Sequence, residues 1–236
     1  MSGVSRFEQS VLAGIGVALL SAMVMTGAAQ ATVIYDNQAA PINSAILSDP
    51  NPVGQILADD FTLAPGASII TDVHWTGLYA GNNVPATDNF TVQFFLDTGS
   101  GAPQLLPLLS LPIGNAVRTD TGIDFIGGID LFRYSIDVAP IVLLPATPYW
   151  ISIYNSADDT TWAWGGRLTG SPSDVLAVRT QGPTSAWCCA STGNRLDFQL
   201  TNDALGAAVP EPASVALFGI ALAGLGATRR RKGLEA

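Results

Sequence analysis

The chain has 236 residues and a formal net charge of −9, from 19 acidic and 10 basic side chains. Between residues 32 and 208 every acidic side chain is aspartate and every basic side chain is arginine. A surface without clustered Lys and Arg argues against nucleic acid as a partner, because phosphate binding depends on such clusters. The lack of Glu and Lys, combined with abundant Thr, Val, Ile and aromatic residues, predicts strands rather than helices.

The N-terminus has the pattern of a secretory signal peptide. Arg6 precedes an apolar stretch over residues 11–28, and Ala29 and Ala31 follow with one glutamine between them. A positive charge, an apolar segment and a small-x-small site in this order predict cleavage by signal peptidase after Ala31. Residues 1–31 are therefore assigned to a signal helix. An uncleaved N-terminal anchor is the alternative, because the apolar stretch is long for a signal peptide.

The body of the chain, residues 32–208, alternates apolar and polar side chains over short segments. The alternation is clearest over residues 90–96, 134–138 and 196–200, and it is typical of strands with one buried face. Turns rich in Gly, Pro, Asn and Asp separate these segments and predict a single β-sandwich or jelly-roll-like domain. Further candidate strands cover residues 32–35, 56–63, 69–79, 124–132, 149–154, 161–164 and 175–179.

Two tryptophans in the body suggest a carbohydrate contact. Trp162 and Trp164 share one face of a short predicted strand, and two glycines follow them. Exposed aromatic faces on a sheet are suited to stacking against sugars. The alternative is that both indoles fill the core, where large aromatic side chains supply much of the buried area.

The two cysteines are adjacent, at Cys188 and Cys189. An exported compartment permits disulfides. The pair is open to three interpretations: a vicinal disulfide with a strained ring, two free thiols, or a link to another chain. We favour the vicinal disulfide, because free thiols rarely persist in oxidising surroundings.

The many aspartates of the body suggest a structural calcium ion, with no other cofactor expected. Calcium takes oxygen ligands from Asp, Asn and backbone carbonyls, and Asp158 and Asp159 form the best cluster, followed by Asp59-Asp60 and Asp36-Asn37. The alternative is that these aspartates cap turns by accepting local N–H groups.

No catalytic constellation is evident from the residues. His74 is the only histidine and lies within a predicted strand, and no G-x-S-x-G elbow is present for a serine nucleophile. Glycoside hydrolysis requires two carboxylates across a sugar, but the numerous aspartates single out no pair. The sequence therefore predicts a protein that is not an enzyme.

Residues 209–236 have three parts in a fixed order. Pro210, Glu211 and Pro212 precede an apolar run over residues 213–228, and four basic residues follow it, namely Arg229, Arg230, Arg231 and Lys232. The prolines hold the chain extended. The apolar run is near the length of a transmembrane helix, and the basic residues favour the cytoplasmic side. The signal peptide requires the same orientation.

This tripartite end resembles the PEP-CTERM sorting signal of Gram-negative bacteria. The resemblance covers only the end of the chain, from residue 209 to the basic cluster. It implies recognition by the membrane enzyme exosortase near Pro210-Glu211-Pro212, a temporary single-pass anchor, and then transfer to the cell surface or release. It also implies association with exopolysaccharide or a biofilm matrix.

Three hypotheses follow for the function of the body. The first is a non-enzymatic exported protein of the cell surface or extracellular matrix. The second is a carbohydrate-binding module that acts on the exopolysaccharide. The third and weakest is a secreted hydrolase. Exposed coplanar tryptophans would favour the second hypothesis, and a cleft with two close, desolvated aspartates would favour the third.

Overall fold

Alternating side chains give an all-β structure built from two antiparallel sheets. The computed structural model describes residues 31–38, 41–51, 53–157 and 160–202, without the side chains of residues 189–191. All of these residues belong to one unit, Ala29–Leu205. Its strands are β1 Thr32–Asp36, β2 Ser44–Leu47, β3 Ile56–Thr62, β4 Ile69–Tyr79, β5 Phe90–Leu96, β6 Leu109–Gly114, β7 Val117–Phe125, β8 Ile129–Val142, β9 Pro148–Asn155, β10 Trp162–Leu168, β11 Val175–Arg179, β12 Cys188–Thr192, β13 Asn194–Leu196 and β14 Phe198–Asn202.

The eight-stranded sheet is organised around β4, which pairs with three other strands. Strand β8 pairs along one edge of β4, while β14 and then β10 pair along the other edge. Strand β1 adds to β14, β2 and β13 add to β10, and β7 folds back on β8. The six-stranded sheet has the order β12-β11-β3-β9-β5-β6. Every strand pair in the described residues is antiparallel.

The inner faces of the two sheets share one hydrophobic core, which makes the body a β-sandwich. Trp75 and Tyr134 of the eight-stranded sheet stack with ring centroids 5.4 Å apart, and both meet Phe90 of the six-stranded sheet edge-on. Phe61 likewise meets Phe198 across the sheets, at 6.1 Å. The predicted all-β fold is confirmed.

Two predicted strands are wrong in extent, and one of them, over residues 196–200, is divided at Asp197 into β13 and β14. The segment 124–132 is a hairpin, in which β7 ends at Phe125 and β8 begins at Ile129. Gly127 and Gly128 between them have φ values of 89° and 74°, a backbone region that only glycine enters without strain. The chain reverses there, although its apolar side chains continue the alternation on both sides.

Three backbone segments meet closely where β10 changes partner from β4 to β13. A Cβ at Gly165 would lie 3.2 Å from the carbonyl oxygen of Thr76, and a Cβ at Gly166 would collide with the carbonyl of Arg195. The glycines therefore allow close contact between strands rather than opening space beside the tryptophans. Asp197, the residue between β13 and β14, lies at this junction and donates its N–H to the Gly165 carbonyl at 2.8 Å.

Among the described residues the sole helical element is a short 3-10 turn at Ala80–Asn82. No helix in this part of the chain has the length and apolar character needed to span a membrane. The predicted signal helix and the predicted transmembrane helix over residues 213–228 lie outside the described residues.

Candidate functional site

Both tryptophans proposed as carbohydrate contacts are buried in the core. Trp162 and Trp164 are 0% exposed. Trp162 packs edge-on against Phe90 with centroids 5.1 Å apart, and the Trp164 indole N–H donates to the Asp197 carbonyl at 3.0 Å. A fully buried ring offers no face to a polysaccharide, so the sugar contact at these positions is corrected to a core role. Alternation placed the two rings on one face, but that face points inward.

A first buried cluster joins the two sheets around Asp59. Its carboxylate accepts from the Leu196 N–H at 2.8 Å and from the Asn37 amide at 3.1 Å, and Arg195 lies 3.9 Å away. Burial raises the pKa of Asp59 to about 8, against the opposing effects of the Arg195 charge and the Leu196 N–H. Arg195 also binds Asp60 at 3.0 Å. These contacts link β3 to β13, and the Asp59 carboxylate oxygens accept hydrogen bonds from protein donors.

A second buried cluster closes one end of the sandwich around Asp88. Arg118 pairs with its carboxylate at 3.1 Å, Asn155 donates to it at 3.0 Å, and the Tyr79 hydroxyl donates to the same group. Burial, followed by interactions with Tyr134 and Asp88, raises the pKa of Tyr79. The cluster links β4, β7 and β9 to the segment before β5. Its ion pair and hydrogen bonds therefore have a structural role.

A polar cleft lies on the outer face of the eight-stranded sheet, and we call it the outer cleft. Thr76, Arg133 and Asp197 are each adjacent in sequence to an inward-facing aromatic residue, so alternation turns their side chains outward. The cleft encloses about 270 Å³. Its lining residues are Asp36, Gln38, Ile42, Thr76, Thr121, Ile123, Leu131, Arg133 and Asp197.

The outer cleft combines the buried carboxyl group of Asp197, a buried amide nitrogen of Gln38 and the exposed side chain of Arg133. Asp197 is 5% exposed, and burial raises its pKa to about 6, while a hydrogen bond from Thr76 and the charge of Arg133 act in the opposite direction. Arg133 donates to the Gln38 side-chain carbonyl. The Gln38 amide nitrogen is buried and has no hydrogen-bond partner within the described part of the chain.

This donor and acceptor set suits a small neutral polyhydroxylated ligand. Asp197 and Asp36 offer acceptors, Arg133 and Gln38 offer donors, and three aliphatic side chains form apolar walls. Sites for such ligands combine apolar walls with a few placed polar groups. Sequence reasoning missed this cleft, because its polar residues come from five segments that only the sheet pairing brings together.

The described aspartates form no metal centre. Within the ranges that the structure describes, no three His, Cys, Asp or Glu side chains are grouped to hold a metal ion. Asp59 is occupied by N–H donors, and Asp36 accepts from the Gln38 N–H at 2.8 Å as in a turn cap. The best predicted calcium ligands, Asp158 and Asp159, lie outside the described residues.

The histidine and cysteines occupy ordinary strand positions. His74 lies in β4 opposite Gln199, with its ring 3.4 Å from the Thr201 hydroxyl. Cys188 is half-buried in β12 opposite Val178. The side chain of Cys189 is outside the description, so the interpretations of the cysteine pair stay predictions.

The residues predicted for sorting and processing lie outside the described residues as well. They are Ala29, Pro210, Glu211, Pro212, Arg229, Arg230, Arg231 and Lys232. Ala31 is the first described residue and immediately precedes β1. The last described strand, β14, ends at Asn202, ahead of the predicted sorting residues.

The C-terminal segment is identified by comparison with known families. Residues 208–232 match the PEP-CTERM protein-sorting motif. The chain therefore carries this motif, as its tripartite end predicted, and the match supports an exported protein that an exosortase sorts by way of a membrane-anchored intermediate. No curated protein matches the chain. The match covers none of the described sandwich and assigns no activity to it.

Proposed function

We propose that the chain is a non-enzymatic protein of the cell surface or extracellular matrix. Signal peptidase removes residues 1–31, residues 213–228 hold the body at the membrane, and an exosortase-like enzyme then acts near Pro210-Glu211-Pro212. The observation that carries the proposal is the sorting-motif match at residues 208–232. The last described strand ends at Asn202, and the motif match begins six residues later in the sequence.

The chemistry of the body supports a non-catalytic role. The carboxylates of Asp59 and Asp88 are held by structural donors inside the sandwich. In the outer cleft Asp197 is desolvated, whereas Asp36 is exposed. A glycosidase pair needs one carboxylic acid and one carboxylate set across a sugar, and the two cleft aspartates differ from the two close, desolvated groups that would favour a hydrolase.

Mass spectrometry of the mature protein from its producing cells tests the proposal. We expect an N-terminus at Thr32 and a C-terminus that is shortened or modified near Pro212. Changing Glu211 to Ala should retain the full C-terminus, because the charge that a recognition pocket selects is lost. Glu235→Ala removes one charge beyond the motif match and serves as the matched control. A mature wild-type chain intact through Ala236 contradicts processing.

The outer cleft favours a second candidate function, the binding of exopolysaccharide. This candidate replaces the buried tryptophans with Asp197, Arg133 and Gln38 as the contacts to sugar hydroxyls. Neutral hexose oligosaccharides fixed to a surface provide the probe. We expect Arg133→Ala to weaken retention about tenfold or more, since a charge-assisted hydrogen bond contributes about 1.5–3 kcal/mol.

The control for this binding test is Asp124→Asn, which changes one charge on the exposed strand β7 outside the cleft. Equal retention of the wild type and of Arg133→Ala would contradict oligosaccharide binding in the outer cleft. Hydrolysis of the oligosaccharides by the wild type would instead support the hydrolase hypothesis.

A further inference from the structure

Five aliphatic side chains of the sandwich are exposed within two short stretches of sequence, which meet where Leu108 and Val142 line one depression, and we call them the aliphatic patch. Each is between 51% and 74% exposed. Leu108 and Val142 line the same depression of about 360 Å³, at the seam where β6 of one sheet meets the end of β8 of the other. The patch consists of Leu105, Leu106, Leu108, Val142 and Leu144.

The two segments that supply the patch carry no charged side chain in a strongly acidic body, and Arg179 from β11 donates to the Leu105 carbonyl. Residues 98–117 and 138–157, which supply all five side chains, contain no Asp, Glu, Lys or Arg. Exposed apolar areas of this kind mark interaction sites for proteins or membranes. Solubility alone gives no reason to keep two such segments side by side.

The strands that border the patch are poorly suited to pairing with another strand. β6 is the outermost strand of the six-stranded sheet and contains Pro112. β7 pairs with β8 only as far as Ser135, and the following part of β8 contains Pro140. Proline on an edge strand opposes strand addition because it lacks an N–H donor. The patch therefore offers aliphatic side chains to an apolar surface rather than backbone to a strand.

The patch lies near the point where the described chain ends. Val142 pairs with Ile69 on one edge of β4, and Thr201 pairs with Asp72 on the other edge. With neighbouring strands about 4.8 Å apart, Val142 and Asn202 lie about 12 Å from each other. Only residues 203–212 separate Asn202 from the apolar run that begins at Ala213. Ten residues span at most about 35 Å when fully extended.

We propose that the aliphatic patch contacts the lipid bilayer surface while residues 213–228 hold the chain there. This inference rests on the anchoring step of the proposed function. A link of ten residues keeps the patch within reach of the bilayer. The absence of acidic side chains from these two segments matters because anionic headgroups repel negatively charged surface. Transfer of Leu and Val side chains from water to the boundary between headgroups and acyl chains lowers their free energy.

Lipid-dependent quenching of introduced tryptophans tests the contact. Full-length chains with Leu106→Trp or Leu144→Trp are reconstituted in phosphatidylcholine vesicles whose acyl chains carry bromine, which quenches nearby indoles. The wild type supplies the background of its five native tryptophans. Ile126→Trp is the matched control, because Ile126 is 77% exposed and lies beyond the opposite end of β8, about 40 Å from Val142.

We expect brominated lipid to reduce the added fluorescence about twofold or more at positions 106 and 144, and to leave position 126 unchanged, because the quencher acts only within the shallow interfacial depth. Equal quenching at all three positions, or none at 106 and 144 in chains that do float with the vesicles, overturns the patch contact alone. A chain that stays out of the vesicle fraction overturns the anchoring step and the patch contact with it.

A second copy of the chain is the competing occupant. Self-association through the patch predicts a dimer in detergent, and the double variant Leu106→Ser and Leu144→Ser should then be a monomer. It also predicts no quenching by brominated lipid at position 106 or 144. That combination of results would overturn the lipid contact in favour of self-association.

Discussion

Replacing Asp197 with asparagine isolates the free-energy cost of a buried carboxyl group in the outer cleft. The amide keeps the size of the side chain and one acceptor for Thr76, but it cannot ionise. Burial raises the pKa of Asp197 to about 6 in the folded chain, whereas an unperturbed Asp titrates near about 3.9. A difference of about 2 pKa units corresponds to a free energy of about 3 kcal/mol.

The direction of the effect follows from the sign of this shift. Because the folded pKa lies above the unfolded pKa, folding favours the protonated carboxyl group. Its contribution to stability is therefore complete below about pH 4 and is lost as the pH rises through about 6. Above pH 6 the wild type carries an ionised buried group. The Asp197→Asn variant avoids this cost, so we expect it to be up to about 3 kcal/mol more stable than the wild type at pH 7.5 and nearly equal at pH 4.

Urea unfolding followed by tryptophan fluorescence at pH 4, 5, 6 and 7.5 measures the difference. Asp124→Asn provides the control, because it removes the same charge from an exposed position of β7. A stability difference that does not change with pH would refute the reasoning. So would a variant less stable than the wild type at pH 7.5, which would mean that Arg133 more than compensates the buried charge.

Three further substitutions test the packing of the sandwich. Gly77→Ala places a Cβ 2.5 Å from the Trp162 ring and should destabilise the body by about 1–3 kcal/mol in urea unfolding; unchanged stability would contradict that contact. Gly166→Ala forces a Cβ into a carbonyl of β13, so its melting temperature should fall at least as much as that of Gly77→Ala. Arg118→Ala leaves the Asp88 carboxylate, 3% exposed, without its ion-pair partner and should cost about 3 kcal/mol in urea unfolding, whereas a loss under about 1 kcal/mol would show that Asn155 and Tyr79 suffice.

Strand prediction succeeded where alternation and turn residues agreed. Residues 90–96 alternate between turns, and β5 occupies the same range, Phe90–Leu96. The segment 124–132 failed because a two-glycine turn interrupts it without breaking the apolar pattern. β6 was not predicted at all, although its apolar residues at 109, 111 and 113 alternate with other residue types, because Pro112 and Gly114 argue against a strand. Pro112 is tolerated because β6 is the outermost strand of its sheet, and only the strand order reveals that position.

The candidate site was less accessible to prediction than the strands. Period-2 spacing places Trp162 and Trp164 on one face, but the spacing is the same whether that face meets solvent or the opposite sheet. Gln38, Thr76, Arg133 and Asp197 are separated by 38, 57 and 64 residues in turn. Nothing in their local sequence distinguishes them from other polar residues of outward-facing positions.

The amino-acid sequence by itself determined the destination of this protein, because a sorting signal is read as a linear segment. Proline geometry, the length of an apolar run and a cluster of positive charges act through residues that are neighbours along the chain. It also determined the β-rich class of the body, through composition and alternation. Only the tertiary structure decided which tryptophans are buried, which aspartate is desolvated and where the aliphatic patch lies. Those properties depend on which distant strands pair and on which sheet covers each face.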